Sequence, residues 1–190
     1  HQGKIGHMIL KMNSLIDKGV MRKLYEASCA GVKIELIIRG ICGIRPGITN
    51  VSENITVRSI IGRQLEHTRI FYFYNAGQEE VYLSSADLMS RNLNDRVEIM
   101  FPIDAQNLKQ RIKSVLNLYL KDNVKAHKLY PNGTYRRVVE VKSPRIDAQE
   151  ELYAMAKEKA HKPFKLSSGP VFKPIYHSTQ IKNLPNNNNI

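Results

Sequence analysis

The apolar pattern opens with His7-Met8-Ile9-Leu10-Lys11-Met12, a short run of strand length that suits burial. Asn13-Ser14-Leu15-Ile16-Asp17 follows with helix-capping residues, and Val20, Leu24, Ala27 and Cys29 keep roughly helical spacing until Gly31 stops the pattern. Val32-Lys33-Ile34-Glu35-Leu36-Ile37-Ile38 first alternates and then turns continuously apolar, as a strand does when helices cover both faces of its sheet. This strand–helix–strand unit predicts a parallel pair joined by a right-handed crossover. Further strands are predicted at Ile55–Ile61, Arg69–Tyr74, Glu79–Leu83 and Arg96–Phe101, with Asn75-Ala76-Gly77 as a hairpin turn. Asp104 opens an amphipathic helix carrying Leu108, Ile112, Val115, Leu116 and Tyr119. Tyr130–Tyr135 reads as a turn between two short extended pieces, and Asp147–Lys159 as one more helix. The pattern predicts an α/β fold, a mixed twisted sheet with helices on its faces.

From His161 the pattern dissolves into prolines, lysines and a terminal run of asparagines. The expected organisation is therefore a folded unit over 1–160 and a flexible, partner-dependent tail over 161–190. The chain starts at His1 rather than Met, so it is expected to be a piece of something longer. No apolar run approaches the roughly 18–20 residues of a membrane span. The two cysteines, Cys29 and Cys42, are too few for a disulfide framework and match no zinc spacing, so a reducing cytoplasmic setting is expected. The Asn-x-Ser/Thr triplets at Asn50, Asn54 and Asn132 read as chance matches.

Charge sharpens the picture. The net charge of +12 points to an anionic partner. Its distribution matters more: residues 39–96 are nearly neutral, yet all seven of their cations are arginine, while every lysine lies outside that stretch. A planar guanidinium binds phosphate with two prongs, whereas a lysine is a hydrated point charge. The candidate chemistry therefore sits in the arginine region.

Three segments there could carry it. His67 heads the Arg69–Tyr74 strand in Glu66-His67-Thr68-Arg69, so an extended backbone would put His67 and Arg69 on one face, able to bind a phosphoryl group and move a proton. Arg39 ends the Leu36-Ile37-Ile38 run just before Gly40, at a carboxyl strand end where α/β sheets bind ligands. Ser84, Ser85 and Asp87, followed by Arg91 and Glu98, could orient the histidine and line an oxyanion site. Each has a bland counterpart: a packed histidine, a surface ion pair, and a helix N-cap at Ser84, Ser85 or Asp87. Cys42 reads as an inert small residue.

Taken together, Leu10-Lys11-Met12-Asn13-Ser14-Leu15-Ile16-Asp17, Ile37-Ile38-Arg39-Gly40-Ile41-Cys42, Leu65-Glu66-His67-Thr68-Arg69 and the run from Val81 to Asn92 resemble polyphosphate kinase of the first bacterial family. The similarity runs over roughly residues 4–160 and is to the C-terminal one of that enzyme's two phospholipase D-like domains. His67-x-Arg69 stands where the wider superfamily has His-x-Lys, and Ser84-Ser85-Ala86-Asp87 where it has a Gly-Ser-x-Asn-like segment. Tyr74 replaces the superfamily's aspartate seven residues after the histidine, which argues against phosphodiesterase chemistry.

The resemblance implies reversible transfer of the terminal phosphoryl group of ATP to inorganic polyphosphate, with magnesium and a phosphohistidine in a preceding domain. It implies His67 as a second essential histidine, Arg39 as a nucleotide-phosphate contact, and no metal ligand in this chain; Arg69 is expected as a phosphate contact from its place beside His67. The partners it implies are polyphosphate, ATP or ADP, and the remainder of the kinase chain, with no nucleic acid. Assembly into a homo-oligomer and association with a membrane surface are left open. Alternatives of other classes are a phospholipase D-like phosphodiesterase and a non-catalytic polyanion-binding module.

Overall fold

The computed structural model describes residues 5–139 and 143–160; the expected tail over 161–190 lies outside them. The elements in chain order are β1 (Gly6–Met12), α1 (Lys18–Cys29), β2 (Lys33–Ile38), β3 (Ile55–Ile60), β4 (Arg69–Asn75), β5 (Gln78–Ser84), α2 (Ser90–Asn94), β6 (Met100–Pro102), α3 (Gln106–Lys121), β7 (Ala126–Leu129), β8 (Tyr135–Arg137) and α4 (Ala148–Ala160). The eight strands form one mixed sheet in the order β6-β5-β4-β1-β2-β3-β7-β8. β1, β2 and β3 run parallel, with Met12 beside Ile38 and Ile37 beside Arg58, while β4 and β7 flank them antiparallel.

Two cores sit on the two faces of the sheet. Leu10, Met12, Leu36, Ile38, Val57 and Phe71 pack with Leu24 of α1 on one face. Ile9, Ile37, Ile60, Ile70 and Tyr72 pack with Leu116 and Tyr119 of α3 and Ala148 of α4 on the other. β2 feeds both, which is why its sequence ends in an unbroken apolar run. Asp17 caps α1 by accepting from Val20 N at 2.9 Å. The β4–β5 hairpin turns through Ala76 and Gly77, both with positive φ, as such turns require.

Two expectations need correction. The strand predicted over Arg96–Phe101 shrinks to Met100–Pro102 at the sheet edge. Residues 96–99 instead return the chain from α2: Val97 is fully exposed, and Ile99 N donates to Ser85 Oγ at 3.0 Å rather than to a strand partner. An alternating stretch with no core to face does not become a strand. The N-cap of α2 is Met89, with no side-chain bond, so neither serine nor Asp87 caps it.

Asp122 is the joint between α3, β7 and α4. Its side chain is buried, with Oδ1 accepting from Val124, Lys125 and Ala126 N at 3.0, 2.7 and 2.9 Å and Oδ2 from Ala148 N at 2.8 Å. Asp122→Ala leaves these amides without their acceptor. We expect a loss of about 3 kcal/mol in chemical denaturation; a loss below about 0.5 kcal/mol would contradict the assignment.

Candidate active site

Because β1 and β2 are parallel while β4 and β5 reverse in turn, the carboxyl ends of β1 and β2 meet the start of β4 and the end of β5 at one sheet end. Arg39, His67, Arg69, Ser84, Ser85 and Asp87 are thereby gathered from segments far apart in sequence. The short bridges of Leu15 to Cys42 and to Leu88 draw the loops after β1, β2 and β5 together.

Asp87 is the anchor. It is 6% exposed; its Oδ1 accepts from Asn13 N at 2.7 Å, Ser14 N at 3.3 Å and Arg69 Nε at 3.3 Å. Its Oδ2 accepts from Asn13 Nδ2 at 3.3 Å and Arg69 Nη2 at 3.2 Å. Burial pushes its carboxyl up, but the Arg69 guanidinium and the Asn13 donors outweigh that and hold it below the usual carboxylate range. Arg69 uses its remaining nitrogen, Nη1, on the backbone carbonyl of His67 at 2.9 Å. All three guanidinium nitrogens are therefore committed to holding the site.

Asn13, which terminates the β1 apolar run as Arg39 terminates that of β2, connects the two arginines. Its Oδ1 accepts from Arg39 Nε at 2.8 Å while its Nδ2 serves Asp87. Arg39 Nε also reaches the carbonyl of Glu66 at 2.7 Å. Among the described residues nothing engages the terminal nitrogens of Arg39, so its fork is aimed but free. Gly40 permits this close packing: a Cβ there would lie 2.8 Å from Asn13 O and 2.9 Å from Ser14 Oγ.

His67 precedes β4 instead of lying in it, so the strand period does not relate it to Arg69. It is exposed, and its imidazole has no hydrogen-bond partner among the described residues. Its neighbours in the loop are held firmly. Glu66 pairs with Lys11 Nζ at 2.9 Å, accepts from Gln149 Nε2 at 2.7 Å and accepts the Tyr119 hydroxyl. Burial raises the Glu66 carboxyl, but Tyr119, Lys11 and Gln149 outweigh it and the group stays ionised well below its ordinary range. Burial, then the Glu66 carboxylate, pushes the Tyr119 phenol strongly up, so it remains a donor. Gln149 also brackets Gln64, accepting from its N at 2.8 Å and donating to its O at 2.9 Å.

The remaining expected residues brace the rim. Ser84 Oγ donates to Ile99 O and accepts from Ala86 N, both at 3.0 Å. Ser85 donates to Glu98, which also accepts from Asn92 Nδ2 at 2.6 Å, and these bonds lower the Glu98 carboxyl. Arg91 is exposed on α2. Burial pushes the Cys42 thiol up, which makes it a poor nucleophile. No three of His, Cys, Asp and Glu converge among the described residues, and Asp87, Glu66 and Glu98 are already taken by cations or amide and hydroxyl donors. This end of the sheet does not fit a magnesium ion. A groove of about 430 Å³, lined by Gly6, Met8, Val32, Phe73 and Tyr82, lies at the opposite end and has no part in the cluster.

Lys11, Asn13, Tyr119 and Gln149 were not singled out from sequence. Asn13 had a usable signal, a polar residue at a carboxyl strand end like Arg39. Gln149 had none, since it meets Glu66 across 83 residues of chain.

The fold is shared with a phospholipase D family member from Salmonella typhimurium, which superposes with a TM-score of 0.51 at 12% identity, covering 68% of this chain and 84% of that one. The crystal structure of polyphosphate kinase from Porphyromonas gingivalis superposes with a TM-score of 0.80 at 42% identity, covering 83% of this chain and 24% of that one. Residues 1–149 match the model of "Polyphosphate kinase C-terminal domain 2", and the chain belongs to that family. Polyphosphate kinase of Bacillus cereus is 56% identical over 151 residues, which are 80% of this chain and 22% of that protein. The Synechocystis polyphosphate kinase is 57% identical over 133 residues, 70% of this chain and 18% of its own length. The chain thus spans about a fifth of the curated relatives it matches.

The anchor makes a prediction about acid. Asp87 and Glu66 have folded pKa values below their unfolded ones, so the stability they contribute is complete above the unfolded carboxylate range and is lost as pH falls through the folded values. The melting temperature should be flat near neutrality and fall below about pH 4. Asp87→Asn should cost about 3 kcal/mol at pH 7 and flatten the acid limb. An acid limb identical in the variant would contradict the anchor role.

Proposed function

We propose that this domain supplies one half-site of a polyphosphate kinase, which transfers the terminal phosphoryl group of ATP reversibly to inorganic polyphosphate. The observation that carries the reading is the pairing of an unengaged guanidinium fork on Arg39 with an unengaged imidazole on His67, the first anchored through Nε to the Glu66 carbonyl and the second through its own carbonyl to Arg69 Nη1. The phosphohistidine belongs to a preceding domain, and magnesium, whose ligands this sheet end does not offer, belongs there too.

In this reading Arg39 grips non-bridging oxygens of the nucleotide phosphates through its two free nitrogens, with its Nε locked to Asn13 and Glu66. His67 faces the phosphoryl group as it moves, balancing its charge or exchanging a proton with an attacking or leaving oxygen. Arg69, expected as a direct phosphate ligand, acts by holding Asp87 and the His67 carbonyl. Ser84, Ser85 and Glu98 keep the adjoining rim in place, and Arg91 adds an exposed cation. The partners are an adenine nucleotide, polyphosphate and the rest of the kinase chain. Two orienting groups held this way avoid reorganisation during transfer, which is the main contribution a protein makes to phosphoryl chemistry.

The tests use a chain of the relatives' full length. His67→Ala should lower polyphosphate synthesis by at least about a hundredfold with an unchanged melting temperature, because the ring is exposed. His67→Gln should stay nearly as slow if proton exchange is the role. Near-normal synthesis by both would refute the assignment. Arg39→Lys keeps the charge but loses the fork, so nucleotide affinity should weaken by about 10- to 100-fold; an unchanged dissociation constant would remove Arg39 from the site.

A further inference from the structure

β7 and β8 form the outer hairpin of the sheet, at the edge opposite β6. Between Asn123 and Val139 the chain carries Lys125, His127, Lys128, Arg136 and Arg137 and no Asp or Glu. The register brings these charges together. Lys128 lies directly opposite Arg136, and Arg58 of β3 directly opposite Lys128, so three cations share one transverse row on one face. Like charges in that relation weaken a sheet. Cations on the edge strand alone would deter stray strand pairing, but that purpose does not call for Lys128 on the inner strand.

Arg58 has a structural use: its Nη1 donates to the carbonyls of Tyr119 and Asp122 at 3.3 Å each, at the negative end of α3. Lys128 and Arg136 are exposed and have no carboxylate partner among the described residues. Both lean on one ring, with Lys128 Nζ 6.0 Å and Arg136 Cζ 5.0 Å from the centroid of Tyr130. The same row continues inward through Ile37 to Lys11, the cation that holds Glu66 beside His67. Four strand spacings separate Lys11 from Arg136, about 19 Å along the sheet.

We infer that the β7–β8 hairpin is a holding surface for a linear polyphosphate chain, gripping it through Lys128 and Arg136 while one end occupies the site at His67. This inference rests on the kinase reading above for the identity of the polymer. An extended polyanion relieves the repulsion between the two cations, and its repeating charge tolerates sliding as the chain grows. A triphosphate is too short to bridge the site and the hairpin, so the surface distinguishes polymer from nucleotide by length.

The test measures binding to a full-length protein, wild type against Lys128→Gln/Arg136→Gln, with polyphosphate of about 100 residues and with tripolyphosphate. Losing two exposed charge contacts should weaken long-chain binding about tenfold near 0.15 M salt and flatten its salt dependence. Tripolyphosphate affinity and the KM for ATP should not change, and the melting temperature without polymer should hold or rise as repulsion is removed. Unchanged long-chain affinity, equal weakening for tripolyphosphate, or a lower melting temperature would overturn the inference. So would a single-stranded oligonucleotide of matched charge that binds the wild type as tightly and loses as much in the variant, since the surface would then serve nucleic acid. A protein that binds long polymer through the hairpin yet makes none when wild type would remove the kinase reading and leave the hairpin surface standing.

Discussion

A carboxylate taken out of water must be surrounded by donors, and the site end of this sheet is organised by that requirement at Asp87. Its two oxygens collect two backbone amides, a side-chain amide and two guanidinium nitrogens. Those donors come from the end of β1 and the start of β4, while Asp87 itself follows β5. Satisfying one buried charge therefore ties three strand ends into one position. The constraint then passes outward through groups with a second hand free: Asn13 turns its carbonyl oxygen to Arg39, and Arg69 turns Nη1 to the carbonyl of His67.

Glu66 plays the same part from below. Lys11 of β1, Tyr119 of α3 and Gln149 of α4 all point at its carboxylate, so the second core and both helices on that face bear on the loop that presents His67. The loop is exposed and irregular, yet successive polar groups along it are held by different elements. Gly62 belongs to this arrangement, because a Cβ there would come within 2.3 Å of Gln149 Oε1. The result separates two kinds of residue. Asp87, Glu66, Asn13 and Arg69 are spent on mutual satisfaction, whereas His67 and the fork of Arg39 are left free at the surface. Such a division is what preorganised chemistry needs.

The strand–helix–strand start and the β4–β5 hairpin were legible because each carries a local signature: apolar runs with an Asp17 cap between them, and a turn through Ala76 and Gly77. Arg39 and His67 were legible as polar residues beside strands, Arg39 after the carboxyl end of β2 and His67 ahead of β4, and the antiparallel run of β4 brings the two to one sheet end. What local pattern could not reveal was commitment. Arg69 reads as a phosphate ligand until its nitrogens are counted, and Asp87 as a helix cap until Met89 is found in that place. Both depend on contacts across more than a dozen residues. Arg96–Phe101 reads as a full strand because alternation does not say whether a core lies behind it; Val97 stands fully exposed.

The central claim is that an anion of the reacting phosphoryl class sits between Arg39 and His67 on this rigid frame. A crystal or cryo-electron structure of the full-length protein with a non-hydrolysable ATP analogue tests it most directly. The account predicts phosphate oxygens within hydrogen-bond distance of the Arg39 terminal nitrogens and of the His67 ring, with the Asp87–Arg69 pair unmoved. Triphosphate bound elsewhere, with Arg39 and His67 both left facing solvent, would contradict it.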